Sequence, residues 1–290
     1  MYPLLSIKNL SINFDDKGNA IKAVDSISLN VEKGKITALV GESGSGKSVT
    51  ALSVLKLLPG NTNISGNIFF SPDGSQQIDL GNLSQKDIKE IRGNKIAMIF
   101  QEPMTSLNPV LTCGWQVMET LMAHQKLSRK KARERTIKLF TQVELPDPAA
   151  MVNRYPHQVS GGQKQRVMIA MAISCNPDLL IADEPTTALD VSVQKSILEL
   201  IKRIQVQNEL GVLLITHDLG LVADVADSIA VMYKSKIVEE GNAMEVLKNP
   251  RHNYTKALLA CRPAANVKGK RLPVINDFSE NKNIVATTAN

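Results

Sequence analysis

The amino-acid sequence predicts an α/β fold organised on a parallel sheet, with an antiparallel β region ahead of it. Three observations support this. A buried apolar strand, Ile36–Val40, runs into the glycine-rich turn GESGSGKS at 41–48 and then into the helical run VTALSVLKLL. Short apolar runs bounded by turns and followed by helix are the pattern of parallel strands covered on both faces. The pattern recurs at 95–100, 179–182 and 212–216, where apolar runs stop at Gln101, Asp183 and His217. At the N-terminus, Leu5 and Ile7, then Leu10, Ile12 and Phe14, alternate with polar residues, and 23–31 carries a second alternating run. Alternation of that kind marks half-buried antiparallel strands.

The 41–48 turn has the spacing of a phosphate-binding loop. Gly41, Gly44 and Gly46 free the backbone to wrap a phosphate with its N–H groups pointing inward, and Glu42, Ser43 and Ser45 complete the wrap. The helix that follows adds its positive end. Lys47 is then placed to reach the β- and γ-phosphates, and Ser48 to put a hydroxyl on Mg²⁺. A glycine-rich strand-to-helix turn with no ligand is the structural alternative. The strand before and the helix after favour a nucleoside-triphosphate site.

The chain has 290 residues, enough for one large α/β domain or two small ones, and its 43% hydrophobic content is ample for a core. The net charge of +6 fits a neighbour of anionic lipid or nucleic acid without selecting either. The longest unbroken apolar run, 167–173, is far short of the ~20 residues that span a bilayer. The start, MYPLLSIKNL, has neither a basic n-region nor an apolar h-region, so no signal peptide is expected. Cys113, Cys175 and Cys261 are widely separated, as are His124, His157, His217 and His252, and neither set has metal-ligand spacing. The expectation is a cytosolic protein whose membrane role, if any, comes through a partner.

Taken in order, the first alternating strand ends at Phe14, which is either core or, in a nucleotide-binding protein, a stacking surface for adenine. A hairpin is expected over 64–80 around Pro72-Asp73-Gly74. EPMTSLNP, which follows Gln101, is proline-bounded and reads as loop. Residues 112–125 and 129–143 read as helices, with Ser128 as cap for the second. That second helix carries Arg129, Lys130, Lys131, Arg133, Arg135 and Lys138. No aromatic residue or glycine interleaves these charges, so the run reads as a solvated face, not a nucleic-acid surface.

Further on, Ser160-Gly161-Gly162-Gln163 opens a helix and offers N–H groups at its positive end, a second phosphate-type feature. It can serve the same nucleotide as Lys47 only if folding or dimerisation brings the two together. Asp183 and Glu184 end the strand at 179–182, where two carboxylates are costly to bury unless something uses them. Asp183 can hold Mg²⁺, and Glu184 can act as general base on water. His217 ends another core strand, the edge where open α/β sheets bind ligands. A hairpin closes the domain at 228–240, no internal repeat is visible, and 264–290 turns polar without hydrophobic period, an expected disordered tail.

In this order, GESGSGKS, Gln101, VSGGQ, LLIADE, the Ala188-Leu189-Asp190 turn and His217 resemble an ABC-type ATPase over roughly residues 4–262. EPMTSLNPVLT and NPRHNYTKALLACRP look like the peptide/nickel-type importer branch, which takes up oligopeptides, dipeptides or nickel complexes. Three departures stand out. Val159 replaces the usual leucine of the signature, His252-Asn253-Tyr254 replaces His-Pro-Tyr, and Cys261 is alone where longer relatives carry a cysteine cluster suited to an iron–sulfur centre. No cluster is therefore expected.

The resemblance implies a P-loop NTPase (RecA-like) core with an antiparallel β subdomain and an inserted α-helical subdomain at about 102–176. The nucleotide-binding domain would span 1–262 and the tail 263–290. It implies ATP and Mg²⁺, with Phe14 on adenine and residues 41–48 on the phosphates. Gln101 would touch the metal and the attacking water, Asp183 the metal, Glu184 the water and His217 the γ-phosphate. Ser160 to Gln163 would close over ATP bound to a second ABC ATPase subunit, identical or different. The other implied partners are transmembrane permease subunits and an extracytoplasmic substrate-binding protein, with no nucleic acid. The chain would sit peripherally on the cytoplasmic face of the plasma membrane. A soluble ABC ATPase acting on ribosomes or nucleic acid is the alternative, but that class generally carries two cassettes or a long coiled coil. A small-molecule kinase would leave VSGGQ and His217 unexplained.

Overall fold

The computed structural model describes residues 1–16, 19–101, 106–187 and 189–260. The expected tail, Cys261, Ala188 and residues 102–105 of the proline-bounded loop lie outside the described residues. Among those described, no helix is long and apolar enough to cross a membrane.

The alternating N-terminal runs form an antiparallel hairpin, β1 (Leu5–Asp16) and β2 (Asn19–Val31), with Leu5 opposite Val31 and Phe14 opposite Ile21. Leu5, Ile7, Leu10 and Ile12 are all buried, although the step from Ile7 to Leu10 breaks the two-residue period. The register shifts there, and Asn9 adopts a positive φ of 49°. One extra residue flips the pleat, so both halves of the strand face the same core. Opposite the bulge, a side chain on Gly66 would collide with the carbonyl of Asn9, so only glycine fits. β4 (Thr62–Phe70) and the short β5 (Ile78–Asp79) complete a four-stranded sheet of order β2-β1-β4-β5. The second strand of the expected 64–80 hairpin is therefore shorter than its alternation suggested.

The central sheet has six strands. β3 (Ile36–Val40), β6 (Ile96–Ile99), β7 (Leu179–Asp183), β8 (Gly211–Thr216), β9 (Ser228–Tyr233) and β10 (Lys236–Asn242) lie in the order β10-β9-β3-β8-β7-β6. All neighbours are parallel except the closing β9–β10 hairpin. Each inner strand feeds two cores by alternation. Val212 and Leu214 of β8 join one cluster, Leu213 and Ile215 the other, and all four are buried. One face is covered by helices and the other by the antiparallel sheet and α1 (Lys47–Val54). Burial on both faces explains why these strands are short continuous apolar runs.

Between β6 and β7 the chain forms α3 (Cys113–Gln125), α4 (Arg129–Gln142), α5 (Pro148–Met151) and α6 (Gly161–Ile173), after α2 (Gln85–Ile91) earlier in the chain. Thr112 and Ser128 cap α3 and α4 by accepting the N–H of Trp115 and Lys131. Helix α7 (Val191–Asn208) follows β7, and α8 (Leu219–Val222), α9 (Ala243–Lys248) and α10 (Asn253–Ala260) surround the last strands. The sequence reading passed over α2 and α7. For α7 the buried spacing of Ile197, Ile201 and Ile204 was available, but Asp190 at its start makes no side-chain cap and the helix opens on a β-branched valine.

Candidate active site

Parallel pairing puts the expected site residues on one edge. Val40 lies opposite Thr216, Ile215 opposite Asp183, and Ala182 opposite Ile99. The phosphate loop, His217, Asp183-Glu184 and Gln101 therefore leave the carboxyl ends of four adjacent strands in a row, the edge where open α/β sheets bind ligands.

The loop's shape depends on two glycines. A side chain on Gly41 would strike the carbonyl oxygen of Met232, and one on Gly46, at φ 108°, would strike the carbonyl of Ala23 and the Met232 methyl. Lys47 is buried, and its ammonium donates to the carbonyls of Gly41 (2.8 Å) and Glu42 (2.7 Å). Burial pulls the Lys47 ammonium below its usual range, against the opposing pull of Glu184, Asp183 and Glu42. Phe14 is half-buried on β1, opposite Ile21 and thus two residues along β2 from the Ala23 that abuts Gly46. It packs against the antiparallel-sheet core, and its strand borders the loop.

Ser48 donates to Asp183 across 3.0 Å. Burial pushes the Asp183 carboxyl up; the Ser48 hydrogen bond and Lys47 oppose this, and the Glu184 charge adds to it. Next to it, Glu184 has a left-handed backbone, φ 46°, and its N–H donates to Ile215. A non-glycine residue in that region is strained, and such strain concentrates at functional sites. Its Oε2 meets three groups: the Gln101 amide at 3.2 Å, His217 Nδ1 at 3.3 Å and the Thr187 hydroxyl at 2.8 Å. Thr187 was missed by sequence reading. Its only local signal is a hydroxyl three residues after the acid.

Ser160 to Gln163 lie elsewhere. Ser160 accepts the N–H of Gln163, and the Gln163 side chain accepts the N–H of Ser160, a reciprocal capping box at the start of α6. The Gln163 N–H is thus already engaged by the Ser160 hydroxyl, and a ligand at this helix start would meet the first-turn amides of Gly161 and Gly162. These glycines sit against Leu189 and Val193, not against the phosphate loop. The fold brings Gln101, Asp183, Glu184, His217 and residues 41–48 together and leaves the Ser160 turn apart.

A sequence model described as ABC transporter matches residues 24–187. The chain belongs to the ABC transporter family. It binds ATP and hydrolyses it in a reaction coupled to transport. A second model, oligopeptide/dipeptide transporter, C-terminal region, matches residues 238–283. The chain is 48% identical over 278 residues to the dipeptide transport ATP-binding protein DppD of Bacillus subtilis, covering 95% of this chain and 82% of that protein. It is 47% identical to the oligopeptide transport ATP-binding protein OppD of the same organism, covering 92% and 74%. Among solved structures, the ATP-binding cassette MJ0796, seen as a dimer in a post-hydrolysis state with ADP and Pi, superposes with a TM-score of 0.72. That match has 28% identity and covers 82% of this chain and 98% of the cassette.

Proposed function

We propose that this chain is the ATP-hydrolysing subunit of an importer for peptides or nickel complexes. It would work peripherally at the cytoplasmic face of the membrane, with separate permease subunits and a substrate-binding protein. The observation that carries the site assignment is the Ser48–Asp183 pair beside the Glu184 cluster, on the strand edge that also carries the phosphate loop. The substrate class is supported by the C-terminal match at 238–283 and by the relatives' dipeptide and oligopeptide transport.

In this assignment, residues 41–48 hold the phosphates and Phe14 stacks on adenine. The donors near the phosphate end suit Mg²⁺: a serine hydroxyl and a carboxylate, with Gln101 within reach of Glu184, leaving the remaining positions to phosphate and water. Bound there, Mg²⁺ would neutralise charge on the β- and γ-phosphates. Glu184 orients and deprotonates the attacking water, while His217 and Thr187 fix its carboxylate. Ser160 to Gln163, whose glycines sit against Leu189 and Val193, close on ATP held by a second ATPase subunit.

Residues 1–262 form the nucleotide-binding unit in this proposal, with the helices of about 102–176 as its helical subdomain. An apolar groove runs between the sheet and those helices, lined by Leu57, Met98, Phe100, His124 and Met171, with Phe100 adjoining Gln101. A permease element seated there would touch the segment that senses Glu184. The test is uptake of a labelled dipeptide and of nickel by cells lacking this chain, with and without a plasmid copy. Loss of either, restored by the copy, is expected. Unchanged uptake of both would overturn the substrate assignment.

A further inference from the structure

The segment matched by the C-terminal model reaches back to the phosphate loop. On β10, Glu239 accepts the N–H of Arg251 (2.7 Å) and of His252 (3.0 Å), clamping the turn that leads into α10. His252 Nδ1 then accepts the N–H of Tyr254 at 3.1 Å. Tyr254 is only 4% exposed, and its ring stacks on Tyr233 at the end of β9, with centroids 4.0 Å apart. Its hydroxyl accepts the N–H of Glu42 at 3.0 Å. The other end of that same Gly41–Glu42 peptide, the Gly41 carbonyl, receives the Lys47 ammonium at 2.8 Å. One peptide plane is therefore held from both sides, by the phosphate-loop lysine and by a tyrosine 212 residues away.

We infer that Tyr254 is a positioning residue for ATP binding, its hydroxyl fixing the Gly41–Glu42 peptide and through it the carbonyls against which Lys47 is set. A peptide plane held at one end alone can rotate about its neighbouring bonds, and Gly41 offers little resistance to that rotation. Burial raises the Tyr254 hydroxyl to about 12, so it stays neutral across the working range. Glu239, the His252 turn and the Tyr233 stack supply its orientation. The segment matched by the C-terminal model thus bears on the nucleotide site itself.

Because this inference rests on the ATP-site assignment above, the unaltered chain is measured first; failure of that chain to bind ATP would count against the assignment, not against Tyr254. Tyr254→Phe keeps the ring stack and removes only the hydroxyl. In the full chain, affinity for ATP with Mg²⁺ should weaken about three- to tenfold, the scale of one hydrogen bond. The turnover rate at saturating ATP, measured with the partner subunits, should stay within about twofold, because the peptide is not among the groups that act on the water. Hydrogen exchange of the 40–46 backbone should quicken while the core strands exchange as before. Unchanged ATP affinity would overturn the inference. So would weaker affinity accompanied by faster exchange throughout the core, because the hydroxyl would then serve only the fold.

Discussion

Glu184 and His217 face each other at 3.3 Å across the ends of β7 and β8, with Gln101 and Thr187 on the same carboxylate oxygen. This carboxylate is held on three sides and ends a strained left-handed residue. Glu184→Gln keeps the shape and removes the base. ATPase activity should fall by about 10²–10⁴, while ATP binding persists through Lys47 and the loop. With ATP bound and uncleaved, the variant should accumulate as an ATP-dependent dimer, alone or with its partner ATPase, in ultracentrifugation. Normal hydrolysis would remove Glu184 from the base role.

Lys47→Ala should abolish ATP binding in calorimetry. Its ammonium is buried and donates to the carbonyls of both Gly41 and Glu42. Retained affinity would move the phosphate site elsewhere.

Asp183 gives a prediction whose direction differs for stability and activity. Its carboxyl is raised by burial, so the unfolded chain loses this proton at lower pH than the folded one. Stability from this residue is therefore greatest at acid pH and declines as pH rises from the ordinary carboxylate range toward the raised value of the folded chain. Asp183→Asn removes that penalty and keeps a partner for Ser48. At neutral pH the nucleotide-free variant should melt above the unaltered chain, and the gap should close as pH falls into the ordinary carboxylate range, in calorimetric melts. Mg²⁺-dependent hydrolysis should be lost. A variant that melts lower at neutral pH would show that Asp183 stabilises the empty fold.

Two glycines of the loop should differ in cost. Gly44 has φ 77° with open space where a side chain would go, so Gly44→Ala should cost only the backbone term, about 1–2 kcal/mol. Gly46 adds a collision with Ala23 and Met232 to its φ of 108°, so Gly46→Ala should be clearly more destabilising in denaturant melts. Equal costs would mean that β2 and β9 yield at the loop.

Much of this was legible because its causes are local. The Gly41–Ser48 spacing, the cap at Ser128, and the two-residue alternation of β1 and β2 are each set by neighbours in the chain. The apolar runs ending at Gln101, Asp183 and His217 followed from burial on both sheet faces.

Only the tertiary structure decided how those pieces meet. Which parallel strand lies beside which is a long-range choice, and it is the order β3-β8-β7-β6 that aligns four strand ends and sets His217 against Glu184. The shift at Asn9 that keeps Leu5 and Ile12 on one core is a property of pairing, not of local preference. Whether the Ser160 turn meets the chain's own phosphate loop was open in the sequence, and the fold seats its glycines against Leu189 and Val193. Tyr254 stands out locally only as part of the His252-Asn253-Tyr254 run, which says nothing of its contact: its hydroxyl finds Glu42 only because β9, β10 and α10 pack beside the loop, and a hydrogen bond spanning 212 residues has no trace in the sequence near either end.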